Sequence, residues 1–178
     1  MNSKICFCIV LFIISISFTN ADLKQQFVYL GNFKLENGEI IKDCRIGYRI
    51  IGKLNEDKTN AVLFPTWFGG ISEHLQRLVG PGKLIDSNKF YVIIVDALGN
   101  GISSSPSNYK KPVNFPEYSI HDMVQTQYVL LEKIGIKHLH AIVGGSMGGM
   151  QAFEWSVLYP DFVDKVIPYV STPRLCSY

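Results

Sequence analysis

His138-Leu139-His140-Ala141-Ile142-Val143-Gly144-Gly145-Ser146-Met147-Gly148-Gly149 decides the fold. The apolar half of this stretch predicts a buried strand over 138–143, Gly144 to Gly149 a turn, and the following residues a helix from about Met147 to Tyr159, closed by Pro160. A serine in a Gly-x-Ser-x-Gly turn between strand and helix is placed for nucleophilic chemistry, because so sharp a reversal strains its backbone and lifts its hydroxyl above the sheet edge. Side chains two residues before and after it would collide, and Gly144 and Gly148 remove that collision. The amide of Met147 opens the helix, where free N–H groups can stabilise an oxyanion. A phosphate-cradling loop is the competing reading, but the Lys-Ser/Thr ending of a P-loop is missing.

Upstream, Ala61 to Phe64 and Phe90 to Val95 are short continuous apolar runs, as expected of strands buried on both faces. Ser119 and Asp122 have capping-box spacing at the head of a helix whose Ile120, Met123, Val124, Leu131 and Ile134 share a face, and Gly135 ends it. Val163 to Val170 reads as a further strand, with Pro168 arguing against a fully paired central position. Alternating strands and helices predict a mostly parallel α/β sheet with flanking helices. Residues 27–51 differ. Phe33 to Glu36 leads into Asn37-Gly38, which predicts a two-residue hairpin, and Cys44, Ile46, Tyr48 and Ile50 alternate with Arg45, Gly47 and Arg49 in a half-buried return strand.

Two loops complete the candidate site. Pro65-Thr66-Trp67-Phe68-Gly69-Gly70 follows the first buried parallel strand, where a second oxyanion donor belongs; Phe68 N–H is the candidate, with Trp67 the alternative. Asp96-Ala97-Leu98-Gly99-Asn100-Gly101-Ile102-Ser103 follows another buried strand and reads either as a sharp strand-end turn or as an ordinary surface loop.

The chain has 178 residues, 47% hydrophobic and 18% charged, which fits one globular domain. A net charge of +2 without any Lys/Arg-rich run gives no basis for a nucleic-acid partner. Residues 1–21 read as a signal peptide: Lys4, the apolar run Ile5 to Phe18, then Thr19-Asn20-Ala21. That run is too short for a stable membrane span, so the expected mature domain is 22–178, in the secretory pathway or outside the cell. Cys6 and Cys8 belong to the leader; Cys44 and Cys176 read as isolated thiols. No sequon is present, and no residue cluster has metal-ligand or cofactor-binding spacing, so neither metal nor cofactor is expected.

Gly144 to Ala152 with Glu154-Trp155 and Tyr159-Pro160 resembles the elbow of homoserine O-acetyltransferases. Leu78-Val79-Gly80-Pro81-Gly82-Lys83 with Ile85-Asp86 is similar to a second block of that family, and Ile120, Asp122-Met123-Val124 and Gln127 to a third. The resemblance implies an α/β-hydrolase fold and ping-pong acyl transfer. Ser146 would take an acyl group from a small-molecule donor, commonly acetyl-CoA, and pass it to an alcohol. It also implies that Met147 and Phe68 supply the oxyanion amides, the latter matching Leu of the family's His-Ala-Leu-Thr-Gly loop. The chain departs from the family in that loop and at Gly99 to Pro106. A secreted carboxylic-ester hydrolase and a non-catalytic binding module with the same fold are the alternatives.

In this fold the acid and the histidine of the triad follow the serine in sequence. His74, His121, His138 and His140 all precede Ser146. Asp161 and Asp164 follow it too closely and read as surface carboxylates. The expectation is therefore an N-terminal portion of the domain, inactive and marginally stable alone, in which Ser146 lacks the base that would activate it.

Overall fold

The computed structural model describes residues 24–110 and 112–174. The expected leader at 1–21, with Cys6 and Cys8, and also Cys176, lie outside the described residues.

Six strands form one sheet in the order β1-β2-β4-β3-β5-β6. They are β1 (Gln26–Lys34), β2 (Ile40–Ile51), β3 (Ala61–Pro65), β4 (Tyr91–Val95), β5 (Ala141–Gly145) and β6 (Val166–Tyr169). β1 with β2 and β2 with β4 are antiparallel, whereas β3, β4, β5 and β6 run parallel. Three helices connect the parallel strands: α1 (Ser72–Leu75), α2 (Ile120–Lys133) and α3 (Met147–Leu158). The predicted mostly parallel sheet with flanking helices is thus present.

The apolar runs are buried on both faces, as their lack of alternation implied. Leu63, Ile93 and Ile142 face a core shared with Leu131 of α2 and Trp155 of α3. Their neighbours Val62, Phe64, Ile94 and Val143 face a second core closed by Leu75 of α1. α2 begins as its capping box predicts: Ser119 Oγ accepts from Asp122 N–H at 3.3 Å, and Asp122 Oδ2 accepts from Ser119 N–H at 2.9 Å. It ends at Gly135 in the left-handed region, φ 78°.

Three expectations need correction. The Asn37-Gly38 turn is not a two-residue hairpin: Gly38 N–H donates to Leu35 O at 2.9 Å, and Leu35 N–H to Glu39 O at 2.8 Å. With Gly38 at φ 88°, this is a three-residue loop, a turn followed by a left-handed glycine. The strand expected from His138 starts at Ala141, and His138 and His140 precede it on a connection where Asp164 gathers them. Asp164 is exposed, as expected of a surface carboxylate, and accepts from His138 Nε2 at 2.9 Å. The strand expected over 163–170 contracts to β6, with Val163 making only an isolated bridge to Leu139. Among the described residues β6 pairs on one side only, which accommodates Pro168.

β2 alternates as read, but Ile41 and Cys44 are both buried, three positions apart. Asp43 at φ 50°, unpaired beside the Gly31–Cys44 pair with Gly31 at φ 72°, marks the bulge that turns both inward. Burial pushes the Cys44 thiol up to about 11, with the Ser104 hydrogen bond partly offsetting it. The thiol therefore stays protonated at pH 8. Folded protein treated with iodoacetamide at that pH should show an unmodified Cys44 peptide, alkylated only after denaturation. Equal alkylation in both states would mean that this core is open.

Candidate active site

β3 and β5 are neighbours, yet their connections leave the sheet on opposite faces: β3 leads through α1 to β4, and β5 through α3 to β6. A crevice opens at the carboxyl ends of strands where connections diverge in this way. The ladder between them confirms the divergence, since it stops at Leu63 and Ile142, short of both strand ends. The loop after β3 and the turn after β5 flank this crevice.

Ser146 occupies the turn with φ 52° and ψ −123°, a conformation that costs a non-glycine residue about 1–3 kcal/mol. Close backbone packing enforces it. A Cβ on Gly144 would lie 2.1 Å from Gly148 O, and one on Gly148 2.6 Å from Pro65 O. Ser146 N–H donates to Tyr169 O at 3.1 Å, and Ser146 O accepts from Ser171 Oγ at 2.8 Å. The segment after β6 thus clasps the serine, and Val170 between these contacts is itself held at φ 48°. Ser146 is exposed between buried glycines.

Across the crevice, Trp67 to Gly70 make a tight turn closed by Gly70 N–H to Trp67 O at 3.0 Å. The paired glycines shape this turn: Gly69 takes φ 70°, and a Cβ on Gly70 would lie 2.6 Å from the Trp67 indole. Phe68 is 85% exposed. Among the described residues, neither Phe68 N–H nor Met147 N–H donates to a protein acceptor.

The loop after β4 is no ordinary surface loop. Ser103, Ser104 and Ser105 are buried, and Ser103 Oγ bridges Asp96 O at 2.7 Å to Gly47 N–H at 2.9 Å. The fully buried Asp96 carboxylate accepts from Ser72 N–H (2.7 Å), Ser72 Oγ (2.8 Å), Gln25 Nε2 (2.9 Å) and Asn100 Nδ2 (3.0 Å). Asn100 Nδ2 also donates to Gly70 O at 3.1 Å, so this carboxylate anchors the far end of the Trp67–Gly70 turn. Asp96→Ala orphans several buried donors and should cost about 3 kcal/mol in urea denaturation, with Asp96→Asn intermediate. A loss below about 1 kcal/mol would mean that water replaces the carboxylate.

Sequence reading left a second network without a role. Trp155 Nε1 donates to Gln127 Oε1 at 2.8 Å, Gln127 Nε2 donates to Gln151 Oε1, and Gln151 Nε2 reaches Thr66 O at 3.1 Å. Its three helix residues stand in the blocks that carry the family resemblance, and they are polar or indole-bearing at otherwise core-facing positions.

No histidine reaches Ser146 among the described residues. His121 bonds Glu154 at 2.9 Å across α2 and α3, and His74 sits in the first turn of α1. His140 stacks on Phe90 at 5.3 Å and His138 pairs with Asp164. Asp161 is exposed. The described residues contain no metal-binding cluster and no helix long and apolar enough to cross a membrane. The site thus combines an exposed, strained serine with two amides, those of Met147 and Phe68, that engage no acceptor among the described residues, and none of these histidines bonds the serine.

Residues 60–172 match the model of the alpha/beta hydrolase fold family. An ethyl acetate hydrolase of Pseudomonas veronii is 39% identical over 154 residues, covering 84% of this chain and 44% of that protein. A homoserine O-acetyltransferase of Geotalea daltonii is 35% identical over 173 residues, covering 85% and 47%. Among solved structures, an acetylester hydrolase from Corynebacterium glutamicum superposes with a TM-score of 0.74 at 40% identity, covering 79% of this chain and 42% of that one. The chain spans less than half the length of these relatives.

Proposed function

Because this chain belongs to the alpha/beta hydrolase fold family, we propose that Ser146 is the nucleophile of an acyl-transfer reaction on small carboxylic esters. The observation that carries this is the exposed serine held at φ 52° in the turn between β5 and α3, with the amides of Met147 and Phe68 engaging no acceptor among the described residues. Ser146 Oγ attacks the ester carbonyl, and its proton passes through a general base to the departing alcohol. The amides of Met147 and Phe68 hold the oxyanion meanwhile. Water then attacks the acyl-serine, releasing the acid and restoring the hydroxyl. In such a reaction the base is a histidine oriented by an acidic residue, a role that His74, His121, His138 and His140 do not fill where they stand.

Hydrolysis of acetyl esters is the reading we favour, since Thr66-Trp67-Phe68-Gly69-Gly70 departs from the acetyltransferase loop and two of the relatives described above act on acetyl esters by name. Transfer to an alcohol acceptor, with acetyl-CoA as donor, is the second reading. It is favoured by the homoserine O-acetyltransferase relative. The apolar run at Ile5 to Phe18 supports secretion, where acetyl-CoA is scarce.

Fluorophosphonate treatment of the full chain should give one adduct, mapping to the peptide that contains Ser146. An adduct on another residue, or none on a folded chain, would overturn the assignment. Turnover of p-nitrophenyl acetate with and without homoserine separates the two readings, because an acetyltransferase makes O-acetylhomoserine and a hydrolase makes acetate alone.

A further inference from the structure

We propose that Gln151 is a positioning residue that yokes the two oxyanion amides together; the inference rests on the nucleophile role given to Ser146 above. Gln151 is 0% exposed, one turn into α3. Its Nε2 donates both to Thr66 O and to Met147 O, each at 3.1 Å. One side-chain amide therefore grips the residue before the Trp67–Phe68 loop and the first residue of α3.

The grip is needed because the sheet does not supply it. The β3–β5 ladder ends at Leu63 and Ile142, so Thr66 O on that side has no strand partner, and a buried carbonyl left unpaired is costly. Gln151 fills this position in the divergence of the two strands. In a trans peptide the N–H points opposite to the preceding C=O. Holding Thr66 O toward α3 turns Trp67 N–H to the other side, and Phe68 N–H, which has no acceptor among the described residues, is the loop amide left to serve the serine.

The polarity of the chain is fixed from both ends. The Trp155 indole can only donate, which assigns Gln127 Oε1 as acceptor and Gln127 Nε2 as donor to Gln151 Oε1. Gln151 Nε2 then points at two carbonyls, which can only accept. Trp155 and Gln127, both buried, thus orient Gln151 without approaching the serine.

Gln151→Met keeps the volume and removes the donor. On the full chain, the rate of fluorophosphonate labelling at Ser146 should fall about 10- to 100-fold, part of the loss seen when an oxyanion donor is deleted. Acetate-ester kcat should fall with KM unchanged. Hydrogen exchange of the 66–70 peptide should speed up while that of β4 does not. Gln125→Met, on the outer side of α2 against His121, should change none of these. Should Gln151→Met not fold, Trp155→Phe removes the distant donor, together with part of the buried indole volume, and should shift labelling and exchange in the same direction by a few-fold. Labelling within twofold of wild type together with unchanged exchange would overturn the proposal. If the wild type is not labelled at all, the nucleophile role fails, and the exchange of 66–70 alone then decides: faster exchange upholds the clamp, unchanged exchange rejects it.

Discussion

Ser146→Ala is expected to lower the acetate-esterase kcat by about 10⁴-fold or more, the scale on which a triad nucleophile is lost. Ser171 Oγ, the hydroxyl bonded to this residue, does not replace it, being committed to Ser146 O at 2.8 Å. Alanine at 146 is still an L-residue at φ 52°, so the variant should fold with the strain in place. Ser146→Gly supplies the contrast. It is equally dead as a nucleophile, but it relieves the strain and should be more stable than the alanine variant by about 1–2 kcal/mol. Initial rates with p-nitrophenyl acetate and thermal denaturation of the three chains test both halves. A surviving rate in Ser146→Ala places the chemistry on another residue. A glycine variant no more stable than alanine means that the elbow is not held in the strained form.

Those features were legible in the sequence where the physics is local. Gly144 and Gly148 announce a clash two residues either side of Ser146, and the structure shows that clash as 2.1 Å between the missing Cβ and Gly148 O. Ser119 and Asp122 announce a helix start because both partners lie within one turn. Asn37-Gly38 misled because the same dipeptide serves a two-residue loop and a turn followed by a left-handed glycine. Only the pairing of Lys34 with Ile40 decides between them. The Asp43 bulge was invisible, since an aspartate at positive φ carries no signal of its own. His138 and His140 extended an apparent strand because Leu139 between them is buried, although that burial comes from a single bridge to Val163. Gln151 is the plainest case of what pattern cannot show. Its partners Gln127 and Thr66 lie on another helix and at a strand end, and only the completed sheet brings them together. The base is the opposite case: chain order alone set the four histidines before Ser146, and His121, His138 and His140 each have a partner elsewhere.

Gly144→Ala should damage the protein more than any other single methyl group added at the elbow. The nearest obstacles are backbone atoms: Gly148 O at 2.1 Å, Gly148 C at 2.4 Å and Gly149 N at 2.8 Å. No rotamer change can clear them, so α3 must move away from β5. That movement is opposed on three sides. Gly148 is packed on Pro65 O, Gly149 on Ser171, and Trp155 further along α3 is fully buried against α2. At Gly145, by contrast, an added Cβ meets the ring of Tyr169 at 2.6 Å, a side chain on β6, which among the described residues pairs on one side only and can yield. Gly144→Ala should therefore cost about 3 kcal/mol or more, the upper range for overpacking a core, and Gly145→Ala measurably less. For a domain of this size, 3 kcal/mol is about a 6–12 °C fall in Tm. Any Gly144→Ala protein that does fold has displaced α3, and with it the Met147 amide and the Gln151 grip on Thr66. Its labelling at Ser146 should then be lost in the folded fraction as well. A variant with unchanged Tm and unchanged labelling would show that the turn can relax around a methyl group, and the strained elbow would no longer explain why glycine stands at 144.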